Sequence, residues 1–333
     1  MSTAVRARRS PRPLLRLVGR RLLWLLPLMV LLSVAVFALA ALSPVDPSSA
    51  FLGAREEFTG AAAREGVEAL IAQPHWIRAW WQWATTAFTG DLGYSTSGRM
   101  PVADVVAARL PWTVLLMVTG LVVGVVVAVP LAAAAALRLG SLLSRVISGG
   151  LWALSAVPAF LLALVLVAVL SLGLGWFPAG GLTDPGAGVS APQVLRHLAL
   201  PALAVGAAQL PWLALHLQRA LEEHLDSPAT RAARLRGVPE ARVLARHVLP
   251  SAAIPVLAVA GARLPEVVAG AVLVEQIFSW PGIGQSLVAA ALARDFALLA
   301  ATTLLLTAAA VLGGLLADLG LALADPGTDP DEL

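Results

Sequence analysis

The residues best placed to do chemistry lie between Ser227 and Pro250, where the chain reads SPATRAARLRGVPEARVLARHVLP. Ser227 suits an N-cap with Pro228 at the first helical position, and Gly237 suits the residue just past a helix end. The spacing therefore predicts a helix of about nine residues, near ~14 Å, followed by a second helix starting at Pro239 and ended by Pro250. Ala229, Ala232 and Ala233 leave one side without bulk, while Arg231, Arg234 and Arg236 supply charge. Such a knob can dock a partner; an ordinary positively charged loop lying on lipid headgroups is the alternative. A second candidate is Arg263 with Glu266, three residues apart in an apolar run with Pro265 between them. Ionisable groups within a membrane helix are expensive, and they face a cavity or a partner. One reading is an ion pair that locks two subunits together. The other is a polar patch lining a solute path, with Glu266 meeting an ammonium and Arg263 a carboxylate.

Bond-making chemistry is poorly represented, and no catalytic residue is assigned. There is no Cys, which excludes disulfides, thiolate metal sites and a Cys nucleophile. His75, His197, His216, His224 and His247 are scattered without metal-ligand spacing, so no metal site is assigned. No Ser/His/Asp arrangement suggests a hydrolase within the membrane. All 23 basic residues are Arg. A standard phosphate loop needs a Lys, so this chain carries no such loop and does not power itself with one. The isoelectric point near 10.7 could suggest nucleic acid, but the distribution of Arg along a membrane chain explains it better.

The elements that must position these groups are membrane helices. Hydrophobic residues make up 59% of the chain, charged residues 13%, and the mean hydropathy is +0.83. The fold class is all-α and polytopic, with six apolar runs near 22–42, 113–137, 146–172, 198–220, 251–275 and 297–323. Prolines in or beside these runs, among them Pro130, Pro158, Pro201, Pro211, Pro255 and Pro265, read mostly as kinks. Arg clusters before the first run, between the second and third, and between the fourth and fifth place those regions and both termini in the cytoplasm. The first apolar run covers 21 residues, longer than the ~7–15 of a signal-peptide core, so a retained span is expected.

The organisation follows: a basic cytoplasmic N-terminus (1–21), a first span (22–42), an external region (43–111), a core of five further helices (112–326) that includes the cytoplasmic loop 221–250, and a tail (327–333). Trp76, Trp80, Trp81 and Trp83 predict a helix lying in the outer interface, with substrate stacking as the alternative. A turn-rich link from Gly90 leads to an amphipathic helix starting around Pro101. Neither an inverted repeat of a secondary transporter nor the filter of a channel is evident.

Spacing within the 227–250 segment adds a family signal. Ala232-Ala233, then Gly237, then Leu249-Pro250 resemble the EAA loop of ABC importer permeases, with Arg231 in place of its Glu and His247 in place of its Ile. The run Thr230 to Gly237 is closer still to the form found in the dipeptide/oligopeptide/nickel permease family. Gly90-Asp91-Leu92-Gly93 with Ser95 resembles that family's external motif. Val274-Glu275 with Phe278-Ser279-Trp280-Pro281-Gly282-Ile283-Gly284 resembles its most specific one. Asp318-Leu319 and Asp325-Pro326 resemble its close.

The resemblance covers about residues 85–326 and implies the fold of a type I ABC importer permease. It implies a subunit that pairs with a second, homologous permease in the lipid bilayer, driven by two cytoplasmic ATP-binding subunits and supplied by an extracytoplasmic solute-binding protein. The loop contacts (Thr230, Arg231, Ala232, Ala233, Arg234, Gly237, Leu249 and Pro250) would then enter a groove on an ATP-binding subunit. The FSWPGIG segment would be either a connector or a rim element facing the binding protein. Peptide is the default solute, with a nickel complex, glutathione or another solute as alternatives.

Overall fold

The computed structural model describes residues 12–42 and 76–324. The first eleven residues, the external stretch 43–75 with His75, the closing Asp325-Pro326 and the tail lie outside the described residues.

The described residues are helical almost throughout. A long α1 (Arg12–Leu42) is followed by α2 (Trp76–Ala87), a two-residue hairpin of β1 (Tyr94–Ser95) and β2 (Met100–Pro101), and α3 (Val102–Leu137). Then come α4 (Leu142–Ser155), α5 (Ala159–Leu166) running into a π turn (Val167–Gly173), and α6 (Ala191–Leu225). The basic segment forms α7 (Pro228–Leu235), the short α8 (Glu240–Val243) and a π turn (Leu244–Val248). The chain closes with α9 (Leu249–Ile277), α10 (Ile283–Ala293) and α11 (Phe296–Ala324).

Among the described residues, five stretches are long and apolar enough to cross a bilayer: Arg16–Leu39, Val102–Leu137, Ala191–Leu225, Glu240–Ile277 and Phe296–Ala322. The third expected span differs. Instead of one helix over 146–172, α4 and α5 meet at a bend of 103°. Pro158 stands between them at φ −59°, ψ 143°. It has no N–H to donate, and its ring drives Val157 away from helical geometry, so the helix stops and restarts in a new direction. Pro250 shows the opposite departure: the helical run passes through it and on to Ile277. The π turn just ahead widens the backbone spacing where that proline removes a hydrogen bond.

From Leu116 to Ala136, helix α3 packs along α6. Leu116 meets Leu198 and Val205 toward one end, Ala128 meets Leu213 midway, and Ala132 and Ala136 meet Leu217 and Leu221 toward the other. Glycine makes this approach close: a Cβ on Gly120 would stand 2.6 Å from Val205, and one on Gly206 2.9 Å from the Gly120 carbonyl. Small residues at a helix crossing gain van der Waals contact where lipid offers no hydrophobic drive between helices. On another side Gly261 of α9 faces Ala317 of α11, where a Cβ would come within 2.8 Å. Helix α1 lies against α11, held by Arg21 Nη2 to Asp318 Oδ2 at 2.6 Å. Leu23, Trp24, Leu26 and Leu31 on α1 stay exposed, as suits a helix surrounded by hydrocarbon.

The Trp-rich segment is the α2 helix, and much of it is used internally. Trp83 donates to the Leu92 carbonyl at 3.0 Å and tilts against Phe37, while Trp80 donates to Ser33 Oγ at 3.1 Å. Trp81 remains exposed.

Candidate functional site

The basic segment folds into a rigid knob between α6 and α9. Ser227, extended at φ −66°, ψ 151°, accepts the Thr230 N–H at 3.3 Å, and Pro228 follows at the first helical position. Gly237 ends α7 at φ +75°, a region that side chains other than glycine adopt only with strain. The Val238 N–H closes the end on the Ala233 carbonyl at 3.2 Å. Two side chains root the knob: buried Thr230 donates to the His224 carbonyl at 2.8 Å, and Ala233, fully buried, packs among Leu221, Leu225, Val243 and Val248.

Arg234 reaches across the Gly237 bend, with Nη2 and Nε at 2.5 and 3.1 Å from the Glu240 carboxylate and Nη1 at 3.1 Å from the Leu225 carbonyl. It braces the two halves of the loop. Its bond to Glu240 raises its pKa above the ordinary value, keeping it charged. Arg231 and Arg236 are exposed and make no side-chain hydrogen bond or ion pair among the described residues. Ala229, Ala232 and Leu235 complete the outer face, with Leu235 90% exposed. Ala233 therefore faces inward, unlike the other two alanines expected on one bare side. Leu249 is half-buried and Pro250 exposed.

Arg263 and Glu266 lie near the middle of the span Glu240–Ile277 and pair with each other, Nη1 to Oε2 at 2.9 Å. The guanidinium also sits 5.6 Å from the ring centre of Trp212 on α6, within cation–π range. The Trp212 indole N–H donates to Gln209 Oε1 at 2.7 Å, and His216 Nδ1 donates to the Trp212 carbonyl at 2.8 Å. All of these groups line one cavity of about 740 Å³, bounded on its far side by the α4–α5 break from Ser155 to Ala159. That volume lies within the range of small-molecule sites.

The FSWPGIG segment is built into the interior. Phe278 and Trp280 are fully buried, and Trp280 donates to the Trp112 carbonyl at 3.0 Å. Glu275 takes the Thr113 hydroxyl at 2.6 Å and the Gly284 and Gln285 N–H groups at 2.7 and 3.3 Å, while Thr113 accepts the Ile283 N–H at 2.8 Å. Gly282 leaves room for this carboxylate, since a Cβ there would overlap it. A Cβ on Gly284 would come within 2.7 Å of Val272 Cα. Ser279 alone of the motif's polar groups faces out, at φ +47°, beside half-buried Pro281.

The hairpin after Gly90 is held by Asp295, which sequence reasoning missed. Its Oδ2 accepts Ser95 Oγ at 2.7 Å, Ser97 Oγ at 2.8 Å and the Ser97 N–H at 3.0 Å, while Oδ1 accepts the Leu298 N–H at 3.2 Å. An Asp directly ahead of the apolar run from Phe296 is an N-cap signal readable in the sequence. Gln209 and Trp212 were also missed. A Gln three residues before a Trp in an otherwise apolar run was the available clue.

Residues 120–330 match the family model described as binding-protein-dependent transport system inner membrane component. A protein of Brucella suis biovar 1 named as a peptide permease is 34% identical over 94% of this chain and 98% of its own length. The oligopeptide transport system permease protein AppB of Bacillus subtilis is 30% identical, with 92% and 97% covered. The glutathione transport system permease protein GsiC of Escherichia coli K12 is 32% identical, with 94% and 98% covered.

Proposed function

We propose, for a chain that belongs to the family of binding-protein-dependent transport system inner membrane components, that it is the permease subunit through which an ATP-driven importer passes di- or oligopeptides. Membership makes it a multi-pass membrane subunit that works with an ATPase and a binding protein. In the finer reading a second, homologous permease completes the passage, two cytoplasmic subunits bind ATP and Mg, and an extracytoplasmic protein delivers the solute. Both termini and the 226–243 knob lie on the cytoplasmic side, as the Arg distribution requires.

The observation that carries this reading is the outer face of the knob. Leu235, 90% exposed, stands between Arg231 and Arg236, which make no ion pair among the described residues, on a loop held by its own hydrogen bonds. An apolar side chain flanked by free cations suits a groove with acidic edges. The lever behind it is direct. Helix α6 enters the knob and carries Gln209, Trp212, His216 and Arg219; the run into α9 leaves it and carries Arg263 and Glu266. All six line the cavity. A force applied at the knob therefore acts on the two helices that wall the path, and Ala233, Thr230 and Arg234 keep the knob from absorbing it. Glutathione, itself a peptide, is the second reading, favoured by the likeness to the Escherichia coli glutathione permease.

The chain has no Cys, so Leu235→Cys provides a single labelling point. Expressed with its ATPase subunits, this variant should cross-link to an ATPase chain through a short bifunctional reagent. ATPase subunits that neither co-purify nor cross-link would overturn the proposal.

A further inference from the structure

We infer that the cavity between α6, α9 and the α4–α5 break is a binding site of the permease itself for solutes bearing a free carboxylate, taken by Arg263 and the Gln209 amide over Trp212. This deepens the importer reading and rests on it only for the direction in which solute passes.

Gln209 carries the argument. Gln209 is only 5% exposed, yet it lines the cavity. An indole N–H can only donate, so the amide oxygen must be the atom that faces Trp212 at 2.7 Å. The amide nitrogen is thereby fixed as the group left over, and it makes no hydrogen bond among the described residues. That NH₂ belongs to a residue on the cavity wall, and its two donors, taken by no described group, are offered to an acceptor that enters.

Arg263 meets the same indole from its face, 5.6 Å from guanidinium carbon to ring centre. Trp212 thus positions both groups, and Gln209 in turn holds Trp212. One Arg263 nitrogen is used by Glu266, whose side chain is 64% exposed. The remaining nitrogens have no hydrogen-bond partner among the described residues. Two helical turns from Trp212 on α6, Arg219 lines the cavity too and forms no ion pair among the described residues. The charged groups on the wall are therefore two cations and one carboxylate.

Glu266 then serves as an internal stand-in. In the empty cavity it neutralises Arg263, a charge that would be costly if left alone at mid-span. An entering carboxylate takes its place on the guanidinium and gains the Gln209 amide, which Glu266 does not reach. No bond is made or broken, and the site need only hold the solute briefly between the binding protein and release.

Labelling protection tests this without relying on uptake. Ala269 is exposed to the cavity, and Ala269→Cys in this Cys-free chain gives one thiol there. In the assembled complex, its reaction rate with a small maleimide is measured against increasing tri-alanine and against tri-alanine amide. Tri-alanine should protect at a concentration about tenfold or more below its amide, as expected for a charge-assisted bond lost with the carboxylate. Arg263→Gln should bring the two probes together. Gln209→Glu keeps an oxygen for Trp212 but turns the donor into an acceptor, and it should weaken tri-alanine while sparing the amide. Equal protection by both probes with Arg263 and Gln209 present, or none by either, overturns the proposal, and this comparison leaves the proposed carboxylate-binding groups unaltered. The importer reading stands or falls separately, on ATP-driven uptake.

Discussion

Thr113→Val isolates the buried knot that fixes α3 to the turn between α9 and α10. Valine keeps the shape and removes one hydroxyl from a residue that is 3% exposed. That hydroxyl donates to Glu275 and accepts from the Ile283 N–H, so its loss strands one carboxylate oxygen and one backbone donor. An unsatisfied buried polar group costs about 1–3 kcal/mol, which puts the two stranded groups at about 2–6 kcal/mol in all. Hydrogen bonds between membrane helices average less, about 0.6 kcal/mol, but those values come from side chains that find other partners in the unfolded state. Here the carboxylate is already committed to the Gly284 and Gln285 N–H groups and lies directly against the Gly282 backbone. Thr113→Ser keeps both bonds and should cost under about 1 kcal/mol for the lost methyl group. The assay is equilibrium unfolding in mixed micelles of mild detergent and dodecyl sulfate, followed by tryptophan emission. Trp112 and Trp280, edge to face at 6.1 Å beside the knot, supply a local signal. Combined with Glu275→Leu, Thr113→Val should lose at least about 1 kcal/mol less than the sum of the two single changes, because both sever one network. A Thr113→Val loss below about 0.5 kcal/mol, or strict additivity, would refute the reasoning.

Other perturbations separate positions by what they touch. Asp295→Ala strands Ser95, Ser97 and the Leu298 N–H together, so hydrogen exchange over 94–101 should accelerate by about tenfold or more while α6 keeps its protection. Gly206→Val should block the α3–α6 crossing and abolish folded yield on size-exclusion chromatography, whereas Gly149→Val, at a position with nothing within 4 Å, should leave that yield unchanged. Arg234→Ala removes an exposed brace and should cost under about 1 kcal/mol of unfolding free energy, yet it should lower transport by loosening the Gly237 bend. In the loop before α6, Asp184 is held below the ordinary carboxylate range by the Gln193 amide first, then by Arg196 and His197. Its contribution is complete above the ordinary value of 3.8 and is lost as pH falls through the lower folded value, so exchange over 180–186 should quicken only in that acid window.

The helices were legible because a bilayer demands about twenty apolar residues per crossing, and that demand is written plainly in the composition. The knob was legible for a different reason: caps and a positive-φ glycine are local rules, and Ser227, Pro228 and Gly237 obey them. What escaped reading depended on tertiary placement. Pro158 breaks its span while Pro201 and Pro211 stay inside a continuous α6, although all three sit in similar apolar text. Ala232 and Ala233 are adjacent and identical in type, yet one is exposed and the other fully buried, a choice made by Leu221 and Val243 from other segments. The cavity wall was half visible: Arg263 and Glu266 stood out as charges in an apolar run, but Trp212 and Gln209 gain meaning only once α6 lies against α9. Asp295 pairs with residues 200 positions earlier, a distance no local pattern reaches.

In the proposed importer, energy made elsewhere enters through the outer face of the knob. This is tested most directly by reconstituting the permease with its ATPase and binding-protein partners in proteoliposomes, and comparing ATP-driven solute uptake between the native chain and the triple variant Arg231→Glu, Leu235→Asp, Arg236→Glu. These three side chains make no internal hydrogen bond, so the permease should fold and unfold as before while uptake falls by at least about tenfold. Unchanged uptake by a correctly assembled variant would contradict the account.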